Sequence, residues 1–178
     1  MQQLHRLPKG KVLDIAAGRG RHALFLASHG FQVDAIDRDE RALAHLSTSA
    51  QARAYTAVTT RALDLEQPAR HDLDLGKDTY DVILVFFYLH RPLFPAIMKA
   101  LKPGGVLVYE TFTLDNHMYH QHPKRREFCL SPNELLRLTS PLHVLHYDEG
   151  AHADEDGSNR IYTAQLVAHK PMPSGAPA

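Results

Sequence analysis

The chain has 178 residues, 44% apolar and 22% charged, which suits one domain with a real core and excludes a multidomain assembly of that length. Twenty basic residues are balanced by twenty acidic ones, so there is no general field that draws a protein to nucleic acid or an anionic membrane. A small-molecule partner is expected, nucleic acid is disfavoured, and no membrane association is expected. The lone Cys129 excludes an internal disulfide, and the chain opens with neither a signal-peptide pattern nor a long apolar stretch, so a reducing cytoplasm and a monomer or homodimer are the expected state. Thirteen histidines make the net charge rise between about pH 7 and 6; that alone assigns no function.

In chain order, Lys11 to Ile15 is a short apolar run that enters Ala16-Ala17-Gly18-Arg19-Gly20, and Ala23, Leu24, Leu26 and Ala27 then predict a helix closed by Gly30. Phe31 to Ile36 predicts a second strand, and Asp37-Arg38-Asp39-Glu40 places acids where a helix with inner face Ala42, Leu43 and Leu46 begins. Val58 to Leu63, running into Asp64-Leu65-Glu66, reads as a third strand. Tyr80 to Phe87 holds a continuous apolar run from Val82 to Leu89, too short to span a membrane and suited to a strand buried on both faces. Pro92 fits the first turn of a helix carrying Phe94, Ile97, Met98 and Leu101, which Lys102-Pro103-Gly104-Gly105 ends before a fifth strand from Val106 to Glu110. Ser131-Pro132-Asn133-Glu134 reads as a capping box with proline at the first helical position, opening a helix with Leu135, Leu136 and Leu138. Two strands, His143 to Tyr147 and Ile161 to Ala168, pair most simply as an antiparallel hairpin.

No repeat or linker divides the chain. The expected architecture is an α/β, Rossmann-like, doubly wound sheet of seven mostly parallel strands with an antiparallel C-terminal hairpin and helices on both faces. It forms one domain over residues 1–170 with a disordered tail at 171–178. Its ligand site belongs at the C-terminal edge of the strands.

At that edge the first strand must turn sharply into a helix beside a ligand, and Gly18 and Gly20 leave room for the approach. The helix N-terminus then suits a carboxylate or a phosphate equally well. Asp37, ending the second strand, can accept both hydroxyl protons of a ribose. Adenosylmethionine and NAD both contain that ribose, so turn and acid together leave the cofactor open.

The ordered set is more specific. Val12-Leu13-Asp14-Ile15-Ala16-Ala17-Gly18-Arg19-Gly20-Arg21-His22 resembles the first motif of class I S-adenosylmethionine-dependent methyltransferases, and Asp37 matches the acid of their second. Asp64-Leu65-Glu66 resembles their acidic segment beside the adenine, Asp81 to His90 their fourth-strand motif, and Leu101 to Gly105 their turn before strand five. The likeness covers roughly residues 10 to 168, and the compact build resembles the small bacterial tellurite-resistance type. It implies that Asp14 helps hold the methionyl amino group and that Ala16, Ala17, Gly18 and Gly20 line the methionyl and ribose pocket. Asp37 would hold the ribose diol, Arg38 would flank the adenine, Asp64 would bond its amino group with Leu65 beside it, and the Phe86 carbonyl would reach the methionyl ammonium. Phe87 and Tyr88 would face the acceptor, and Tyr88 and His90 are the candidate catalytic residues that orient it or take its proton. One departure stands out: Ala16 occupies a position where the family has glycine, tolerable if its backbone dihedrals are ordinary.

Other readings compete. Asp14, Asp37 and Asp64 taken singly are compatible with turn or loop carboxylates, and the Phe86 side chain with plain core. His117, His120 and His122 with Asp115 match no closed zinc spacing, so no metal is expected; the His117 to His122 loop reads as a mobile acceptor-side cover, and the N-terminus and the loop residues 112 to 130 as the segments that shape the acceptor pocket. Lys124-Arg125-Arg126, followed by Glu127, reads as a solvated surface rather than a phosphate site, and Cys129 as a small buried residue. An NAD-dependent oxidoreductase is the alternative enzyme, disfavoured because too little chain remains for a catalytic domain and no Tyr-x-x-x-Lys pair is present. A non-catalytic adenosyl-binding or interaction module is the alternative outside enzymes.

Overall fold

A computed structural model of the protein describes residues 7–66, 73–153, 157 and 159–173; most of the expected tail, residues 174–178, lies outside that range. The seven strands are β1 (Lys11–Ile15), β2 (Gln32–Asp37), β3 (Val58–Ala62), β4 (Tyr80–Phe86), β5 (Leu101–Phe112), β6 (His143–Ala153) and β7 (Arg160–His169). They lie in the order β3-β2-β1-β4-β5-β7-β6. Pairing is parallel from β3 through to β5, and β7 joins β5 and β6 antiparallel. The helices are α1 (Arg21–Ser28), α2 (Glu40–Ala52), α3 (Phe94–Ala100), α4 (Leu114–His120) and α5 (Glu134–Leu138).

The alternation of side chains along each strand divides the core between two sheet faces. Val12, Val82 and Leu84 pack with Ala23 and Leu26 of α1 and Leu43 and Leu46 of α2. Leu13, Ile15, Ile83 and Val85 pack with Phe94 and Ile97 of α3 and Leu135 of α5. Val82 to Val85 are wholly buried, which is why β4 reads as an unbroken apolar run: a central parallel strand has no solvent face. The helix signals act as expected at two ends. Gly30, at φ +82, closes α1 with its N–H on Ala27 O at 3.0 Å and that of Phe31 on Leu26 O at 3.1 Å, a Schellman arrangement. Asp39 caps α2 by accepting the N–H groups of Arg41 and Ala42 at 2.9 and 3.1 Å.

Four local expectations are corrected. Pro92 stands in a separate 3-10 turn, Arg91–Leu93, because Leu93 N–H bonds back to His90 O at 3.0 Å; α3 begins one step later. Leu101 belongs to β5, paired with Tyr80, and the Lys102 to Gly105 segment is an irregularity inside that strand rather than a turn before it. The segment from 131 forms half a capping box: the Glu134 carboxylate accepts the Ser131 N–H at 2.8 Å, but Asn133 takes a left-handed conformation at φ 56, so α5 starts at Glu134 instead of at Pro132. Residues 112 to 130 are not one loop. They hold α4 and a 3-10 turn, Arg126–Phe128, organised by Asn116, which is buried and bonds Tyr162 N–H at 2.8 Å and His122 O at 2.7 Å.

Candidate functional site

The order β3-β2-β1-β4-β5 reverses direction between β1 and β4, which opens a crevice at the C-terminal ends of those strands. A cavity of about 370 Å³ occupies it, within the size range of small-ligand sites. Its walls come from strand ends: Ala16 after β1, Asp37 and Arg38 at β2, Leu63 to Glu66 after β3, Phe87 to Leu89 after β4, and Phe112 at β5. His122, Pro123 and Phe128 close it from the segment between α4 and α5. Four strands at about 4.8 Å spacing separate the β2 side from the β5 side by roughly 14 Å.

Asp37 is tied into the glycine turn. One carboxylate oxygen accepts the Gly18 N–H at 2.8 Å and the other the Asp39 N–H at 2.8 Å. The two glycines have different reasons. A β-carbon on Gly18 would meet open space, whereas one on Gly20 would sit 2.2 Å from Leu46, so Gly18 leaves the approach clear and Gly20 lets α1 and α2 pack closely. Both adopt positive φ. So does Ala16, at φ 55; its dihedrals are not ordinary, and the left-handed region costs a non-glycine residue about 1–2 kcal/mol.

Asp14 points to the α1 side of β1 and is 2% exposed. It accepts the Ala23 N–H, but burial dominates and pushes its carboxyl up to about 7. Its Oδ2 is the one buried side-chain oxygen or nitrogen among the described residues without a hydrogen-bond partner, and such an atom costs stability unless a ligand satisfies it. His22, on the first turn of α1, stacks on Phe86 with centroids 3.8 Å apart; burial, with Arg21 beside it, pushes the imidazole down to about 4.

Of the residues singled out in sequence, the structure thus brings Ala16, Asp37, Arg38, Asp64, Leu65, Phe87 and Tyr88 to one cavity. Asp14, Ala17, Gly18, Gly20 and Phe86 stand behind it, and Ala17 N–H bonds Ile36 O at 3.0 Å. His90 does not line the cavity; it caps the 3-10 turn at Arg91 with its backbone. The Tyr88 phenol does, hydrogen-bonded to Glu66, and burial together with that carboxylate drives it well above its ordinary range, which disfavours the phenolate a base would need. Sequence reading put residues 112 to 130 on the acceptor side but did not single out Glu66, Phe112 or His122 as wall residues. The rule that sites gather at strand C-termini points to Glu66 and Phe112, whereas nothing local distinguishes His122 among thirteen histidines.

Arg91 holds the outer wall. Its guanidinium donates to both Glu134 oxygens at 2.6 and 3.0 Å, to Glu127 O at 2.6 Å and to Cys129 O at 3.0 Å. Cys129 is buried, and burial raises its thiol. Among the described residues no three His, Cys, Asp or Glu side chains gather as a metal site.

Comparison with known proteins follows the same lines. The probable S-adenosyl-L-methionine-dependent methyltransferase TehB of Haemophilus influenzae is 27% identical over 175 residues, covering 90% of this chain and 57% of that protein; the chain thus spans a little over half the length of that relative. The crystal structure of Haemophilus influenzae TehB superposes with a TM-score of 0.72 at 22% identity, again over 90% of this chain and 57% of that one. A SAM-dependent methyltransferase from Methanosarcina mazei superposes with a TM-score of 0.73 at 18% identity over 95% of this chain and 96% of its own; at these identities the likeness is one of fold. The family model described as tellurite resistance protein TehB matches residues 2–164, and the chain belongs to that family.

Proposed function

We propose that this protein is an S-adenosylmethionine-dependent methyltransferase that transfers a methyl group to a small-molecule acceptor by in-line displacement. One observation carries the reading: Asp37, Asp64 and Glu66 line the switch-point half of the cavity against the single cation Arg38 among the described residues. Such a site favours a ribose-bearing ligand of net positive charge. It opposes NAD, whose pyrophosphate would seek the turn's N–H groups and meet the Asp37 carboxylate already bonded to Gly18.

The residues fit that cofactor on two further counts, the unpartnered oxygen of Asp14 and the open space over Gly18. Asp37 would hold the ribose diol, Asp64 the adenine amino group beside Leu65 and Arg38, and Asp14 would help hold the methionyl ammonium through water or backbone. When bound, the cofactor supplies a methyl group already activated on a sulfonium, so the protein's task is to align the acceptor and exclude water. Phe87 and Tyr88 wall the acceptor side, and Tyr88 stays protonated with its hydroxyl given to Glu66, so it would orient the acceptor by contact rather than act as a base. His90 is not among the residues that line the cavity.

A thermal-shift comparison tests this. Adenosylhomocysteine at a hundred times its Kd should stabilise the protein by about 2.7 kcal/mol, with NAD giving no shift. Stabilisation by NAD alone would sink the reading, and cofactor binding without turnover of any acceptor would favour a binding module. No helix among the described residues is long and apolar enough to cross a membrane, and the balanced charge favours a partner other than nucleic acid; a cytoplasmic monomer or homodimer is proposed alongside.

A further inference from the structure

Among the described residues Asp14 is the one buried carboxyl group. Its strand, β1, lies between β2 and β4, which pair Asp14 with Ala35 and Leu84, and α1 covers the face to which the side chain points. One donor serves the carboxyl, the Ala23 N–H, while Oδ2 has no partner among the described residues. An ionised carboxylate has about four acceptor positions to fill. Desolvation that leaves most of them empty favours the neutral acid, which has less hydration to lose.

The surrounding groups leave that balance close to neutral pH. Burial is the largest influence, and the Asp37 carboxylate at the end of β2 adds to it; the Ala23 N–H and the Arg21 guanidinium of α1 work against both, and the carboxyl is pushed up to about 7. His22, beside Arg21 on α1, is pushed down to about 4, chiefly by burial, so it stays an uncharged imidazole at neutral pH. From β4, Leu84 stands opposite Asp14 in register and Phe86 packs on His22; the buried residues of α2 are Leu43, Leu46 and Ala50. None of these carries a charge. A buried acid poised in this way answers to any cation brought near it. One positive charge at the distance of a single bridging water favours the ionised form by on the order of a hundredfold at an effective dielectric of about 20.

We propose, resting on the cofactor reading, that Asp14 couples cofactor capture to proton release: it is an uncharged acid in the free protein and gives its proton to solvent as the methionyl ammonium is bound. The carboxyl O–H bond breaks with its electron pair staying on Asp14, the proton passes to water, and the ammonium keeps its own protons. Binding therefore tightens as pH rises toward the range in which Asp14 is already ionised, and levels off above it. By reciprocity the bound ligand makes Asp14 a stronger acid. The unpartnered Oδ2 of the free protein is the acceptor that this exchange uses.

Calorimetry of adenosylhomocysteine binding, which presents the same α-ammonium, tests the coupling without turnover. Titrations of the purified chain at pH 6, 7 and 8, each in buffers of different ionisation enthalpy, count the protons released. About one proton should leave at pH 6, about half at pH 7 and about a tenth at pH 8, with Kd falling about tenfold from pH 6 to pH 8. Asp14→Asn should bind with no release and a Kd independent of pH, whereas His22→Phe should release protons as the parent does. Should Asp14→Asn fail to fold, the proton count and Kd profile of the parent decide. Binding by the parent with no release, or with proton uptake, at pH 6 and 7 overturns the proposal and leaves the cofactor reading standing, as does release retained in Asp14→Asn. Absence of binding at all three pH values overturns the cofactor reading and this proposal with it.

Discussion

Gly18 donates its backbone N–H to Asp37 at 2.8 Å, so the carboxylate that closes the glycine turn onto β2 is also the one proposed to receive a ribose. A carboxylate has about four acceptor positions, and the Gly18 and Asp39 N–H groups use only one on each oxygen. Ligand and turn therefore share Asp37 without competing. Asp37→Ala should weaken adenosylhomocysteine binding by about 1.5–3 kcal/mol, the worth of hydrogen bonds to a charged group, and also lower the melting temperature of the unliganded protein. Calorimetry and a thermal melt on the same variant check both; lost affinity with unchanged stability would mean the turn does not depend on this acid.

Ala16 sits at φ 55 on the cavity edge. Replacement by glycine relieves about 1–2 kcal/mol of left-handed strain and returns about 0.4–1 kcal/mol to the flexibility of the unfolded chain. Ala16→Gly should therefore stabilise the protein by up to about 1.5 kcal/mol on the balance of those terms, while Ala16→Val, branched at the β-carbon, should destabilise it. Chemical denaturation distinguishes the two, and a glycine variant less stable than the parent would contradict the backbone argument.

Asp14 and His22 pull stability in opposite directions over the same pH range. Asp14 titrates at about 7 when folded, against about 3.9 unfolded. The folded state thus holds the extra proton between those values, and this group's contribution falls as pH rises. His22 titrates at about 4 when folded, against about 6.5 unfolded, so the unfolded state holds the extra proton and the contribution falls as pH drops. The two slopes nearly cancel between about pH 4 and 6.5. Asp14→Asn should expose the histidine slope, with the melting temperature of the cofactor-free protein rising from about pH 5 to 6.5; His22→Phe should expose the opposite one. Melts at those two pH values suffice, and identical slopes in both variants would refute the paired titration.

Arg91 joins the exit of β4 to the segment from Glu127 to Glu134 through two carboxylate and two carbonyl contacts. Its side chain is 37% exposed and that of Glu134 15%, so solvent weakens the pair. Arg91→Gln should cost about 1–2 kcal/mol, with faster proteolysis between Lys124 and Cys129 and less effect on adenosylhomocysteine affinity than Asp37→Ala. Arg91→Lys should recover little, since an ammonium cannot bond both oxygens as a fork does. Limited proteolysis with and without the substitution provides the check.

The seven strands were legible in the sequence because buried parallel strands and capped helices leave strong local signatures. Val82 to Val85 cannot be other than a central strand, and Gly30 and Asp39 mark helix ends through hydrogen bonds made within a few residues. The glycine turn and the acid beside it were legible for the same reason: Gly18 and Asp37 are set by short connections at strand ends. The acceptor side was not. The helix α4 has no apolar stripe and exists through Asn116, whose partner Tyr162 lies 46 residues away. His90 and His122 cannot be ranked by spacing, and the structure puts the second, not the first, beside Phe112. The left-handed backbone of Ala16 and Phe87 is equally invisible in residue type, since alanine and phenylalanine there are imposed by pairing with neighbouring strands. Local hydrogen bonding and periodicity determined the sheet and the acids at its edge, whereas contacts between residues distant in the chain decided the wall that meets the acceptor, because a polar segment without periodicity takes its conformation from what it packs against.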